Sequence, residues 1–431
     1  MSLASGTPTI FHSLRLLKGN TRLSVLVEPL WGIPYTLYNF YLSLYMKARG
    51  ITDEQIGFLI GLGFITSIFF SLIGGMITDA LGRKKTTLIF DFIAWPGSIL
   101  IYIFAGDFWA FALATVVNSV VRIVAVSWNL MVVEDATPEQ QVAAYNLLNA
   151  VNIVVGVFTP AAGLMVHNLG IVAGERILMV FAVISMSIMI LIRNHFYQET
   201  KVGRQILDEA RSKRPKELFH IGFYRNTFIV LKEKILIRQV FYLTILFNTY
   251  IPIGSFSSLY FAPYLTETLK LEKSAISILG GVYSAVMLAV FVLVLPVISG
   301  GNRTLYMIAG LITQICALGF LVFIPPSNFG LGIAAMIVFA VGFGIAKPFL
   351  DSLLAEVTTG KERTGVYALQ NTALSAMSAL AGFASGYLYK IRPALIYILS
   401  MFILLGCVGI LVYLNRKQTT EQNSVNVNTS L

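Results

Sequence analysis

The stretch Gly74-Gly75-Met76-Ile77-Thr78-Asp79-Ala80-Leu81-Gly82-Arg83-Lys84-Lys85 lies between two long apolar runs. Gly75, Asp79, Gly82, Arg83 and Lys84 keep the spacing G-x-x-x-D-x-x-G-R-K. An acid, a glycine and a basic cluster between apolar segments read as a tight turn at a membrane surface. Gly82 permits positive φ in that turn. Arg83, Lys84 and Lys85 place it on the cytoplasmic side.

Composition agrees. Of 431 residues, 56% are hydrophobic and 12% charged, with mean hydropathy +0.77. A soluble domain carries about 25% charged residues. The net charge of +10 does not point to nucleic acid, because the bases sit in short loops between apolar runs. Cys316 and Cys407 lie inside apolar runs and form neither a disulfide framework nor a metal-ligand spacing. His12, His167, His195 and His220 are scattered, so no metal site is expected. Residues 1–19 lack the apolar core and small-residue cleavage site of a signal peptide.

A bilayer core needs about 20 apolar helical residues. Twelve segments meet that rule, at roughly 23–46, 55–78, 86–105, 108–133, 142–166, 175–194, 238–264, 275–298, 304–324, 330–354, 365–388 and 393–414. The fold class read from them is an all-α membrane protein of two six-helix bundles. The domains are 1–194, a cytoplasmic linker at 195–237, 238–414, and a polar tail at 415–431 expected to be disordered. The linker carries Arg204, Arg211, Lys213, Arg214, Lys216 and Arg225, and its stretch 218–224 looks amphipathic. With both termini inside, cytoplasmic segments hold about 22 Lys and Arg and exterior loops about 7. That bias fixes the topology.

The halves repeat at an offset of about 222 positions. Asn129-Leu130-Met131-Val132-Val133-Glu134 lies over Asp351-Ser352-Leu353-Leu354-Ala355-Glu356. Thr137 lies over Thr359, Tyr145 over Tyr367 and Asn149 over Asn371. Thr52-Asp53-Glu54-Gln55 has capping-box form at the start of span 2. Two parallel six-span repeats are an architecture of secondary transporters.

On these residues the chain resembles the major facilitator superfamily, whose loop signature between spans 2 and 3 is G-x-x-x-D-[RK]-x-G-[RK]-[RK]. Gly75, Asp79, Gly82, Arg83 and Lys84 match it, and Ala80 departs where the family has a base. The resemblance implies that Asp79 meets the end of span 11 and latches the cytoplasmic side. Gly300-Gly301-Asn302-Arg303 is a degenerate second copy without the acid. Proton-coupled members carry an Arg in span 4, a position matched by Arg122. Efflux members carry a Gly-Pro pattern in span 5, kept in part by Gly156–Gly163. In the family, spans 1, 4, 7 and 10 line the cavity.

Charges in the hydrocarbon region cost at least about 2.5–3.5 kcal/mol each and need a reason. Arg122 lies near mid-membrane in span 4, either facing a cavity or paired with a neighbouring span. Lys347 and Asp351 share a face of span 10, where they either neutralise each other or contact the substrate. Glu28, just before Pro29, reads as a proton carrier or as an interfacial acid. Asp91 reads as a partner of Lys84 and Lys85. Glu134 and Glu356 end spans 4 and 10, and their symmetry suggests gating pairs across the halves with bases such as Arg83 or Arg303. Tyr35, Tyr38 and Asn39 form a polar-aromatic face on span 1, and Tyr45 reads as a belt aromatic. Asn118, Trp128 and Asn129 on span 4, with Asn248 and Ser255 on span 7, complete a pocket wall.

These residues point to a secondary transporter of a small organic solute, proton-coupled, monomeric and seated in the plasma membrane, with export ahead of uptake. Uptake of a sugar-like solute or organic anion is the alternative. No cofactor is expected, and no G-x-x-x-x-G-K-[ST] loop is present for ATP. A polytopic membrane enzyme or a sensor on a transporter fold are the other classes. The enzyme reading would rest on Glu134, Asp135 and Glu139, whose partial repeat at Glu356 argues for gating.

Overall fold

A computed structural model describes residues 14–210, 229–256, 258–298, 302–358 and 362–429. Arg211, Lys213, Arg214, Lys216, Arg225, the 218–224 stretch, Gly300, Gly301 and Thr359 lie outside these residues. Among the described residues the chain is helix and loop, without strands. Each expected segment is largely helical. Nine helices among the described residues are long and apolar enough to cross a membrane, and one of these, Pro138–Phe196, takes in two expected segments.

The chain divides into two compact units, 1–51 with 62–219, and 52–61 with 220–431. In the first unit, α1 (Gly19–Val27) and α2 (Pro29–Ala48) form one interrupted column. Pro29 has no N–H to give. The Glu28 carbonyl instead accepts from Trp31 and Gly32, at 3.0 and 2.9 Å. α3 (Asp53–Leu81) starts on a capping box, with Thr52 and Gln55 exchanging bonds of 3.0 and 3.3 Å. Gly82 takes φ +84° and turns the chain into α4 (Arg83–Phe92). A π turn at Ile93–Gly97, which contains Pro96, leads into α5 (Ser98–Phe104).

α6 (Phe108–Ser119) and α7 (Val121–Val133) make the next column. α8 (Pro138–Val155) starts on a second capping box, between Thr137 and Gln140. A 3₁₀ turn at Gly156–Phe158 leads to α9 (Thr159–Phe196), which Gly170 breaks at φ +77°. α10 (Lys201–Ala210) follows.

In the second unit, α11 (Ile235–Gly254) ends sooner than the expected 238–264 span. Ser255 is extended, and short turns at Phe261–Pro263 and Tyr264–Thr268 replace the last helical turns. A Cβ at Gly254 would collide with Ser400, so the close packing there needs glycine. α12 (Lys273–Ala289), α13 (Arg303–Phe323), α14 (Phe329–Val357), α15 (Glu362–Ile391) and α16 (Leu395–Thr429) complete the unit. The tail expected to be disordered continues α16 as helical backbone to Thr429, and no Gly or Pro follows Gly409 to stop it. The start of α3 packs on α15 through glycines: a Cβ on Gly57 would sit 2.7 Å from the Gly386 Cα. Lys390, just past the expected end of span 11, bonds the Glu54 carboxylate, which holds its ammonium above the ordinary lysine range.

Candidate substrate and ion pathway

The signature turn is the most heavily bonded feature of the first unit. Arg83 is 3% exposed and grips Glu134, with Nη2 3.1 Å from Oε1 and Nε 3.2 Å from Oε2. Its Nη1 reaches Asp79 at 2.9 Å. Thr200 donates its hydroxyl to the same Glu134 carboxylate. The Glu199 carboxylate accepts the backbone N–H groups of Arg83 and Lys84, each at 3.0 Å. It thereby caps the α4 N-terminus, where free amides and the helix dipole favour an anion. A Cβ at Gly82 would lie 2.7 Å from that carboxylate. A Cβ at Gly75 would meet nothing within 4 Å.

A second ionic group lies deeper in the same unit. Arg193 Nη2 is 2.6 Å from Glu28, and its Nη1 is 3.6 Å from Asp91. All three residues are buried. The Trp128 ring covers the guanidinium, with its centroid 5.6 Å away. Val27, Met189 and Ile190, with Phe92 packed against them, form a buried apolar cluster from the same helices. Two acids here share one base, so the site is anion-rich.

The aromatic face of α2 is real and continues onto the π turn. Trp31 and Tyr35 stack at 4.9 Å and 12°. Trp95 meets both edge-on, at 5.2 and 5.6 Å. Tyr38 packs edge-on against Tyr35 at 5.8 Å and is itself buried. Asn39 is half-buried. Arg122 on α7 is exposed and has no hydrogen-bonding or ionic partner among the described residues.

In the second unit, Lys347 pairs with Asp351 one turn on, at 2.6 Å. Arg303 pairs with Glu356 at 2.9 Å, both about half-exposed. Asn248 Nδ2 donates to the Thr244 carbonyl at 2.8 Å, and the Ser255 hydroxyl donates to Ile251 at 2.6 Å.

The profile of the Major Facilitator Superfamily matches residues 31–261 and 250–429. The chain belongs to the major facilitator superfamily. Among solved structures, a variant of the nucleoside transporter NupG is similar at TM-score 0.70 and 12% identity. The match covers 92% of this chain and 99% of that one. A D-xylose–proton symporter matches at TM-score 0.68 and 15% identity, covering 91% and 96%. A bacterial homologue of the iron transporter ferroportin, in an inward-facing state, matches at 0.67 and 13%, covering 91% and 98%. These likenesses concern the fold. No curated protein matches the sequence. As a superfamily member the chain is a multi-pass membrane protein, and its place is with transporters rather than enzymes.

Several expectations need correction in this superfamily member. Glu134 and Glu356 pair within their own halves, with Arg83 and Arg303. The basic turn of each half faces the end of its own fourth span, which puts these partners closest. Asp91 joins Arg193 and not Lys84 or Lys85, because it is buried more than two turns into α4. Glu28 is 7% exposed and ion-paired with Arg193. Tyr45 is wholly buried and donates to the Tyr102 and Ile103 carbonyls, at 3.0 and 3.2 Å. Asn118 is turned onto the π turn, donating to the Ala94 carbonyl at 3.0 Å. Asn129 donates to Ala125 at 2.7 Å and accepts from Tyr145 at 3.4 Å. Both asparagines are engaged by protein.

Three residues went unread in the sequence: Arg193, Glu199 and Glu175. Glu175 is wholly buried and neither carboxyl oxygen has a partner. All three stand at helix ends in sequence, where charges are common for dipole reasons. A periodicity count that puts Glu175 and Arg193 on the buried face of α9 could have separated them from solvated ends.

Proposed function

We propose that this protein moves a small organic solute across the cell membrane by alternating access, as a proton-coupled monomer with both termini in the cytoplasm. The observation that carries the reading is the presence, in one helical unit, of a stacked aromatic cluster of Trp31, Tyr35 and Trp95 and of Arg122, a cation with no ionic partner among the described residues. The cluster offers ring faces, and Arg122 offers a charge for an anionic or strongly polar group. Export is supported by the 3₁₀ turn at Gly156–Phe158, where efflux members carry the Gly-Pro pattern. Uptake is the second reading. The Trp31–Tyr35 stack suits the ring of a sugar or nucleoside, and a D-xylose–proton symporter and a nucleoside transporter share the fold.

A thermal-shift screen of purified protein against uridine, D-xylose, benzoate and ethidium, at two pH values, tests the reading. A solute that binds the folded state raises the melting temperature by mass action. The expected result is a rise with one class of solute that Arg122→Ala removes. Equal responses of wild type and Arg122→Ala to all four would sink it. Flux of the hit into liposomes, with the pH gradient in each direction, then reports coupling and direction.

A further inference from the structure

Glu175 stands near the middle of α9, five residues beyond the break at Gly170. It is 0% exposed, and neither oxygen accepts a hydrogen bond. An ionised carboxylate in that position would be a buried charge with no compensation, which costs several kcal/mol. Carboxyls so placed take up a proton instead. We infer that Glu175 is a buried proton-binding site, neutral at neutral pH, which exchanges its proton only when the helices around it part.

The surrounding charges support this. Arg176, the next residue, is turned away and donates Nε to the Ile103 carbonyl at 3.0 Å. Arg49, at the end of α2, donates Nε to the Ala105 carbonyl at 3.1 Å. Tyr38 on α2 is the titratable side chain within electrostatic reach of Glu175. Tyr102 on α5 is near Tyr38, with its hydroxyl bonded to Thr115 at 3.1 Å. Tyr45 has committed its hydroxyl to backbone. Neither arginine bonds the Glu175 carboxyl, and the tyrosines carry no positive charge. Gly174, the preceding residue, is closely packed: a Cβ there would sit 3.1 Å from the Met165 carbonyl oxygen.

The other deep acids of this unit differ. Glu28 and Asp91 have Arg193, and in the second unit Asp351 has Lys347. A helix-dipole explanation for Glu175 would require amides on its carboxylate, and there are none. At the repeat offset of 222, Glu175 falls on Tyr397, which is also wholly buried with an unpartnered hydroxyl. Both halves therefore place a neutral oxygen there. Only the carboxyl can release a proton within reach of physiological pH, since a phenol titrates near 10 even in water.

The role in transport deepens the proton-coupled reading and rests on it, whereas the protonation state does not. Infrared spectroscopy of full-length protein in liposomes at neutral pH, without added solute, reads the proton directly. A failure here is thus distinct from a failure of the transport reading. The expected result is a protonated-carboxyl C=O band that is lost in Glu175→Gln and kept in Glu28→Gln and Asp91→Asn. A spectrum with no such band, or one unchanged in Glu175→Gln, overturns the assignment. If Glu175→Gln does not assemble, Glu175→Asp must keep a shifted band, and its absence in folded protein overturns the assignment equally.

Discussion

At the 222-residue offset, Glu28 of the first half corresponds to Tyr250 of the second, and Asp91 to Thr313, beside Gln314. In the first half these positions hold an acid pair around Arg193. In the second, the Tyr250 hydroxyl donates to Gln314, and both residues are wholly buried. The same helix junction is thus fastened by charge in one bundle and by a neutral hydrogen bond in the other. The signature turns differ in the same sense. Arg83 and Glu134 are 3% and 10% exposed, under Glu199 and Thr200, whereas Arg303 and Glu356 are 54% and 45% exposed. Two repeats can share a fold while one of them carries the buried ion pairs. The proton coupling proposed above is accordingly assigned to the first half.

The contrast has measurable edges in stability, read by denaturant or thermal unfolding of purified protein. The largest effect is expected for Arg193→Leu, which strands Glu28 and Asp91 in an apolar shell and costs about 3–5 kcal/mol. Arg83→Ala comes next, at about 3 kcal/mol, because it leaves Glu134 nearly buried without its base. If either variant melts like wild type, the buried pairs are not as described. Tyr250→Phe is expected to cost about 1–2 kcal/mol, the penalty for an unsatisfied Gln314 oxygen. A loss as large as that of Arg193→Leu would erase the distinction between the halves. Arg303→Ala is the smallest, at about 0–1 kcal/mol for an exposed pair.

Much of this was legible in the sequence. Apolar runs of bilayer length, loop charge bias and the turn at Gly82 need no tertiary information, and the fold follows from them. The span 10 pair, Lys347 with Asp351, was also readable, since helical spacing alone brings the two together. What sequence could not supply was which helix face each charge occupies. Glu175 and Arg193 look like ordinary terminal charges until α9 is placed against α2 and α4. Asn118 looked like pocket lining because a half-exposed amide in a cavity and one turned onto a neighbouring carbonyl have the same sequence signature. The pairing of Glu134 with its own half was hidden for a similar reason: symmetry of acids and bases is consistent with partners in either bundle.

Proton movement accompanying solute flux is the most direct test of the central claim, that the first half carries the coupling. Liposomes loaded with a pH-sensitive dye and containing the full-length protein would be challenged with the solute that gives the thermal shift. Wild type and Tyr397→Phe should both show solute-driven proton movement, and Glu175→Gln should lose it while retaining solute exchange. Flux with no proton movement in wild type, or coupling that survives Glu175→Gln and fails in Tyr397→Phe, would contradict the account.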